Sequence, residues 1–142
     1  MTTLSEPWLL DTNVWLFGLR RSEPFLTCAE LLDQIGLYSV IIPFQVLEEL
    51  NTNLTKDEKR DFYELINQLN EWIELRWERA PFALVKSYQE RGCRKGDAVI
   101  AAHAEMLSIK TIVSENRQFL QTIEGLPLEI VTSAVALSRL SS

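Results

Sequence analysis

The sequence predicts an α/β fold in which a central parallel sheet is flanked by helices, and three observations carry that prediction. Short apolar runs of strand type recur at Trp8–Leu10, 38–42, Thr111–Val113 and 128–131. Patterns of helical period lie between these runs, and strands that alternate with helices pair in parallel beneath a helical cover. The third observation is an acid, Asp11, which closes the first run just before hydrophobic residues resume at Val14. Because an open α/β sheet binds its ligands beyond the carboxyl ends of its strands, a carboxylate there is badly placed for packing and well placed for a metal ion or a phosphate.

The elements follow in order. Thr27 and Glu30 have capping-box spacing and open an apolar helix through Leu31, Leu32 and Ile35, which Gly36 can end. Pro43 suits the first turn of a short helix carrying Val46, Leu47 and Leu50, and Pro81 does the same for a helix over 82–89. The longest helical pattern runs over 57–79, where Phe62, Leu65, Ile66, Leu69, Trp72 and Ile73 share one face. That face predicts an amphipathic helix over the core, with Trp72 and Trp77 expected to be buried there and a partner or dimer surface as the alternative for both. Residues 92–96 read as a loop, Asp97 starts a helix of small residues reaching Ile109, and a final helix spans 133–140.

Composition bounds the rest. The chain has 142 residues, 46% of them hydrophobic, enough to bury a substantial core without disulfides, so one domain over 1–142 is expected. A formal charge of −6 and a pI near 4.8 exclude a general cationic grip on nucleic acid, so any such contact is local. Cys28 and Cys93 match neither a zinc spacing nor a redox pair. With no basic leader and no apolar run of membrane-spanning length, the expectation is a cytoplasmic protein that does not engage a membrane.

Two further acids stand in apolar settings like that of Asp11: Glu49 within Val46-Leu47-Glu48-Glu49-Leu50, and Asp97 before Ala98-Val99-Ile100. On the Pro43 helix, Glu49 falls beside the apolar stripe and Glu48 falls nearly opposite it. Asp97 occupies the first turn of its helix, where the dipole favours an anion by about 0.3–1 kcal/mol and capping alone would explain it. Small residues on its face allow close packing that holds it at the same sheet edge as Asp11. Three carboxylates in one cleft repel, at a cost on the order of 4 kcal/mol per pair at 4 Å in an effective dielectric of about 20. The cluster therefore needs a counter-charge, and a set of hard oxygens without thiolate or histidine points to Mg²⁺ or Mn²⁺. Such an ion lowers the pKa of a bound water and polarises a phosphoryl oxygen, which directs the reading to metal-assisted phosphoryl transfer. Arg94 and Lys95 before the Gly96-Asp97 turn, Arg117 after Ser114-Glu115-Asn116, and Arg20-Arg21 are cations that could flank an acidic centre and take phosphates. Each taken alone reads as a solvated loop charge.

Leu9-Leu10-Asp11-Thr12-Asn13, Val46-Leu47-Glu48-Glu49-Leu50, Gly96-Asp97-Ala98-Val99-Ile100-Ala101-Ala102 and Ile112-Val113-Ser114-Glu115-Asn116-Arg117-Gln118-Phe119, in that order, resemble the motifs of PIN domains. A chain of this size most resembles the VapC-type ribonuclease toxins of toxin–antitoxin pairs. The resemblance implies a PIN-like three-layer fold and divalent-metal-dependent cleavage of RNA. It implies that Asp11, Glu49 and Asp97 hold the metal, that Ser114 and Asn116 support the site, with Asn116 able to add a neutral ligand oxygen, and that Thr12 and Asn13 order the first turn. It further implies a homodimer and a small antitoxin as partner. In one respect the chain departs from the pattern: many members carry a fourth acid where this chain has Asn116 and Gln118, leaving Glu115 as the nearby carboxylate.

Competing readings are a non-catalytic PIN-like module that binds RNA or protein, which the intact acid set opposes, and a haloacid-dehalogenase-like phosphatase. The phosphatase would need a second aspartate two residues after the first, where this chain has Asn13. Glycines 18, 36, 92, 96 and 125 form no phosphate-cradling loop. The lone histidine, His103, lies off the face of Asp97, and Cys93 has no base in the sequence to activate it. The sequon at Asn53 would go unused in a cytosolic protein.

Overall fold

Val40, Ile41, Ile42 and Pro43 are all buried, as are Leu9, Leu10 and Thr111 through Val113. Runs that are buried at every position, with no polar alternation, belong to strands covered on both faces, the hallmark of parallel sheets. The computed structural model of the chain describes residues 6–122 and 127–141. In chain order its elements are β1 (Trp8–Leu10), α1 (Thr12–Arg20), α2 (Leu26–Asp33), β2 (Val40–Pro43), α3 (Phe44–Asn53), α4 (Lys56–Gln68) and β3 (Ile73–Arg76). They continue with α5 (Phe82–Glu90), α6 (Lys95–Met106), β4 (Thr111–Val113), α7 (Arg117–Thr122), β5 (Glu129–Val131) and α8 (Ser133–Leu140). The sheet has the order β3-β2-β1-β4-β5, and every pairing is parallel.

The expected fold class is what forms: a central parallel sheet flanked by helices. α2 packs on both α1 and α8, α5 packs on α6, and α3 touches both α1 and α6. Among the described residues no helix is long and apolar enough to cross a membrane.

The largest difference from the sequence expectation lies in 57–79. That stretch is not one helix: α4 stops at Gln68, capped by Leu69, and the chain turns and re-enters the sheet as β3. Ile73, Glu74, Leu75 and Arg76 pair one for one with Val40 through Pro43. The four ladder positions satisfy backbone groups and cover an edge of β2 that a longer helix would leave open. Trp72 and Trp77, expected in the core, are 37% and 63% exposed. The capping box also sits elsewhere. Thr55 and Glu58 exchange hydrogen bonds at the start of α4, whereas α2 begins after Phe25 without a side-chain cap and the Thr27 hydroxyl meets that of Ser133 at 2.6 Å. The Asp97 helix ends at Met106, short of Ile109.

Gly18 fixes how closely α1 approaches α2. A methyl group there would lie 2.5 Å from Leu32 Cδ1 and 3.0 Å from the Cys28 carbonyl oxygen. Alanine normally strengthens a helix by roughly 0.5–1 kcal/mol over glycine. Here the helices would have to separate, and overpacking of this kind costs about 1–3 kcal/mol. Gly18→Ala is therefore expected to lower the melting temperature by several degrees; an unchanged or raised value in thermal denaturation would contradict the close packing.

Candidate functional site

The order β3-β2-β1-β4-β5 means that the chain builds the sheet outward from β1 on one side and later returns to build on the other. The carboxyl ends of β1 and β4 therefore flank the point where the winding reverses, the place where α/β sheets bind ligands. Asp11 follows β1 and Ser114 follows β4.

Asp11 is in extended conformation and serves as the N-cap of α1, its Oδ1 accepting from the Thr12 backbone N–H at 2.8 Å. Its Oδ2 accepts from the Ser114 hydroxyl at 2.7 Å, with the Asn13 amide at 3.5 Å. The carboxyl group is 4% exposed. Burial is the main cause that pushes its pKa up to about 6; Asp97 adds a smaller push, and the Ser114 and Thr12 hydrogen bonds oppose both.

Glu49 reaches the same place from α3. Its Oε1 accepts from the Thr12 hydroxyl at 2.9 Å, while Glu48 is exposed, as the helical phase predicts. Asp97 comes from the first turn of α6, and its Oδ2 accepts from the Asn116 amide at 3.2 Å. Burial raises both carboxyl pKa values, Asp11 also raises that of Glu49, and Glu49 raises that of Asp97, which Arg94 partly offsets. The three acids thus repel one another around a closed triangle.

This donor set fits a hard divalent cation by charge and by chemistry, since it offers only oxygen and each carboxylate is destabilised by desolvation and by a like charge. Among the described residues no three His, Cys, Asp or Glu side chains make a ready-made metal group. Thr12, Ser114 and Asn116 instead hold the acids individually, so the fit lies in charge and donor type rather than in a preformed cage.

The fourth motif is used differently from the expectation. Asn116 gives its N–H to Asp97, and its oxygen accepts from the Gln118 backbone at 3.1 Å. It is thus a donor to an acid, with its oxygen already engaged. Glu115 turns away from the other acids: its Oε1 accepts from the Ser133 backbone at 2.7 Å and the Ser133 hydroxyl at 2.6 Å, at the start of α8. The Glu115 N–H donates to Asn13 at 3.2 Å, which ties the first motif to the fourth. The sequence hid this role because nothing in the local pattern pairs Glu115 with Ser133.

Of the cations, Arg94 and Lys95 are exposed at the start of α6 ahead of Asp97. Arg20 is held by Glu58 and Arg21 by Asp33, so neither flanks the acids as a free charge. Arg117 begins α7, and its side chain lies outside the described set. His103 is buried with Nε2 against the Glu78 carbonyl, and Cys93 is buried as well. A depression of about 430 Å³ is lined by Pro7, Ser39, Trp72 and their neighbours at the amino ends of the strands, the edge opposite the acids. Its position sets it apart from the chemistry.

Comparison with known families matches a PIN domain to residues 8–125. Comparison with curated proteins gives no match. Among solved structures, FitAcB from Neisseria gonorrhoeae aligns with TM-score 0.61 and 21% identity over 89% of this chain and 98% of that one. PAE2754 from Pyrobaculum aerophilum gives 0.59 and 16% over 96% of each. VapBC2 from Rickettsia felis, solved bound to a DNA fragment from its promoter, gives 0.59 and 19% over 88% of this chain and 97% of that one. At these identities the likeness is one of fold.

The raised acids make stability depend on pH. A carboxyl group whose pKa is higher folded than unfolded contributes stability that is fully present below the unfolded value and lost as pH rises through the folded one. For Asp11 that window runs from about 3.8 to about 6 and corresponds to about 3 kcal/mol, with Glu49 and Asp97 acting in the same direction. Metal-free protein should therefore melt higher at pH 5 than at pH 7.5, and Asp11→Asn should reduce that difference. A melting temperature that climbs from pH 5 to 7.5 would show that the acids are not strained in this way.

Proposed function

The chain belongs to the PIN domain family, and we propose that it acts there as a divalent-metal-dependent endoribonuclease, the toxin of a toxin–antitoxin pair. The observation that carries this reading is the triangle of mutually repelling carboxylates at the winding reversal of the sheet, buried Asp11 with half-buried Glu49 and Asp97. The matched VapBC2 structure and the motif resemblance support the toxin assignment with a small antitoxin as partner; a homodimer belongs to this reading through the motif resemblance alone.

In this reading Asp11, Glu49 and Asp97 would hold Mg²⁺ or Mn²⁺, which would supply polarisation of a phosphoryl oxygen and a lowered pKa for a nucleophilic water. The protein's part is orientation. The Ser114 hydroxyl and Thr12 N–H fix both oxygens of Asp11, the Thr12 hydroxyl fixes Glu49, and the Asn116 amide fixes Asp97. Asn13 acts through Glu115, whose backbone it accepts from, to hold the fourth-motif loop beside the first turn. Arg94 and Lys95, with Arg117, receive phosphates on either side of the scissile bond without reading sequence. Because Asn116 is a neutral amide and Glu115 is turned to Ser133, the acids supply three charges and no fourth, which suits one firmly held ion.

Cleavage of a single-stranded RNA should require Mg²⁺ or Mn²⁺ and stop on chelation. Asp11→Asn and Glu49→Gln should each cost more than the roughly 10- to 100-fold typical of an outer-shell partner, whereas Glu48→Gln should leave the rate near that of the wild type. Ser114→Ala should fall inside that range. Chelator-resistant cleavage, or equal losses at Glu48 and Glu49 in a rate assay, would refute the assignment.

A steady-state kinetic comparison also separates orientation from packing at Glu115. Glu115→Gln keeps an acceptor for Ser133 and should retain most activity, while Glu115→Ala frees the fourth-motif loop and should lower kcat with little change in KM. Equal kinetics for Glu115→Ala and wild type would leave Glu115 with a purely structural part.

A further inference from the structure

Beside the acids lies a cleft of about 170 Å³, walled by α3, α6 and the segment before α5 and lined by Phe44, Gln45, Glu48, Arg79, Val99 and His103. Gln45 belongs to both places. It lines the cleft, and it stands on α3 four residues before Glu49. Four helical residues rise about 6 Å, a span that one nucleotide bridges.

The lining has the character of a base platform. The Arg79 guanidinium stands 5.2 Å from the centre of the Phe44 ring, and among the described residues it makes no ion pair, since Arg76 takes up the neighbouring Glu74 and Glu78. Trp77, 63% exposed, lies with its ring 6.4 Å from Phe44 at 56°. In the wall, His103 is 1% exposed and its Nδ1 has no hydrogen-bond partner. An unpaired buried ring nitrogen is costly unless something satisfies it. Single-stranded RNA is recognised by aromatic faces and guanidinium planes on which bases stack, with nearby polar groups meeting the base edges. Gln45 offers such a group at the rim.

We propose that this cleft is a nucleobase subsite, in which Phe44 and Arg79 hold one base of a single-stranded RNA about one nucleotide along α3 from Glu49 and the carboxylates it meets. The proposal rests on the ribonuclease reading and adds to it a stacking contact that phosphate binding alone does not supply. For a protein of net charge −6, a contact that works through a π-face rather than through charge adds grip that salt does not remove.

The test measures binding in an Asp11→Asn background with Mg²⁺ present, using labelled oligouridylate, oligoadenylate and an abasic ribose-phosphate chain of equal length. Phe44→Leu, which keeps apolar volume but removes the flat face, and Phe44→Ala should both weaken the base-bearing oligomers by about tenfold, within the range for loss of one stacked base, and leave the abasic chain unaffected. Arg79→Gln should weaken all three, the base-bearing pair more. Melting temperatures of each variant confirm folding. Equal affinity of Phe44→Leu and wild type for oligouridylate and oligoadenylate, or equal loss on the abasic chain, would overturn the subsite. If that happens while wild-type protein still cleaves RNA with metal, the ribonuclease reading stands and the subsite alone falls. Absence of both RNA binding and metal-dependent cleavage in the wild type would remove both. Variants that dissociate a dimer in sedimentation without altering RNA affinity would assign the cleft to a second copy of this chain and overturn the proposal.

Discussion

The placement of one carboxylate out of water organises this molecule. Asp11 stands at the end of the central strand with both oxygens engaged and 4% of its surface exposed. A buried carboxylate must have donors around it, and each donor fixes a different part of the chain. Thr12 N–H requires α1 to start at once, and the Ser114 hydroxyl requires β4 to lie beside β1 in the register that pairs Leu10 with Val113. Thr12 then passes the constraint to α3 through Glu49. Hydrogen bonds recover part of the cost of burial, and the remainder appears as the upward shift of the acid.

The fourth motif shows how a site can be supported from behind. Glu115 reaches Ser133 rather than its fellow acids, and the Ser133 hydroxyl in turn meets Thr27 and, at 3.6 Å, the thiol of Cys28. The loop carrying Ser114 and Asn116 is thereby fastened to α8 and α2, elements with no acid of the triangle on them. Burial raises the Cys28 thiol to about 11 and the Ser133 hydroxyl partly offsets this, which keeps it a passive member of the group.

Much of this was legible in sequence because it depended on short-range pattern. The apolar runs announced β1, β2, β4 and β5, and the phase of α3 put Glu49 rather than Glu48 toward Thr12. Asp11 and Asp97 stood out as acids in apolar company. Where two periods overlapped, the reading failed: Leu69, Trp72 and Ile73 continue a helical stripe, while Ile73-Glu74-Leu75-Arg76 also alternates, and the unpaired edge of β2 decided between them. Thr27-Glu30 and Thr55-Glu58 have the same capping spacing, and only Ser133, distant in sequence, explains why Thr27 does not cap. The hydrogen bonds of Asn116 and Glu115 were likewise invisible, since each depends on which donor or acceptor the fold delivers.

The strand order has a consequence for when the site exists. Asp11 and Ser114 are 103 residues apart in the chain, and Thr12 and Glu49 are 37 apart. During synthesis β1, β2 and β3 can pair as they emerge, yet the strand that completes the far side of β1 comes only after α6. Until then Asp11 lacks its hydroxyl partner and Asp97 its amide. The arrangement behaves as a logical conjunction whose last input arrives late, so a ribosome-bound fragment carrying three-quarters of the chain presents the acids without the geometry that joins them. The joined geometry of the acids is in this way complete only once β4 has paired with β1.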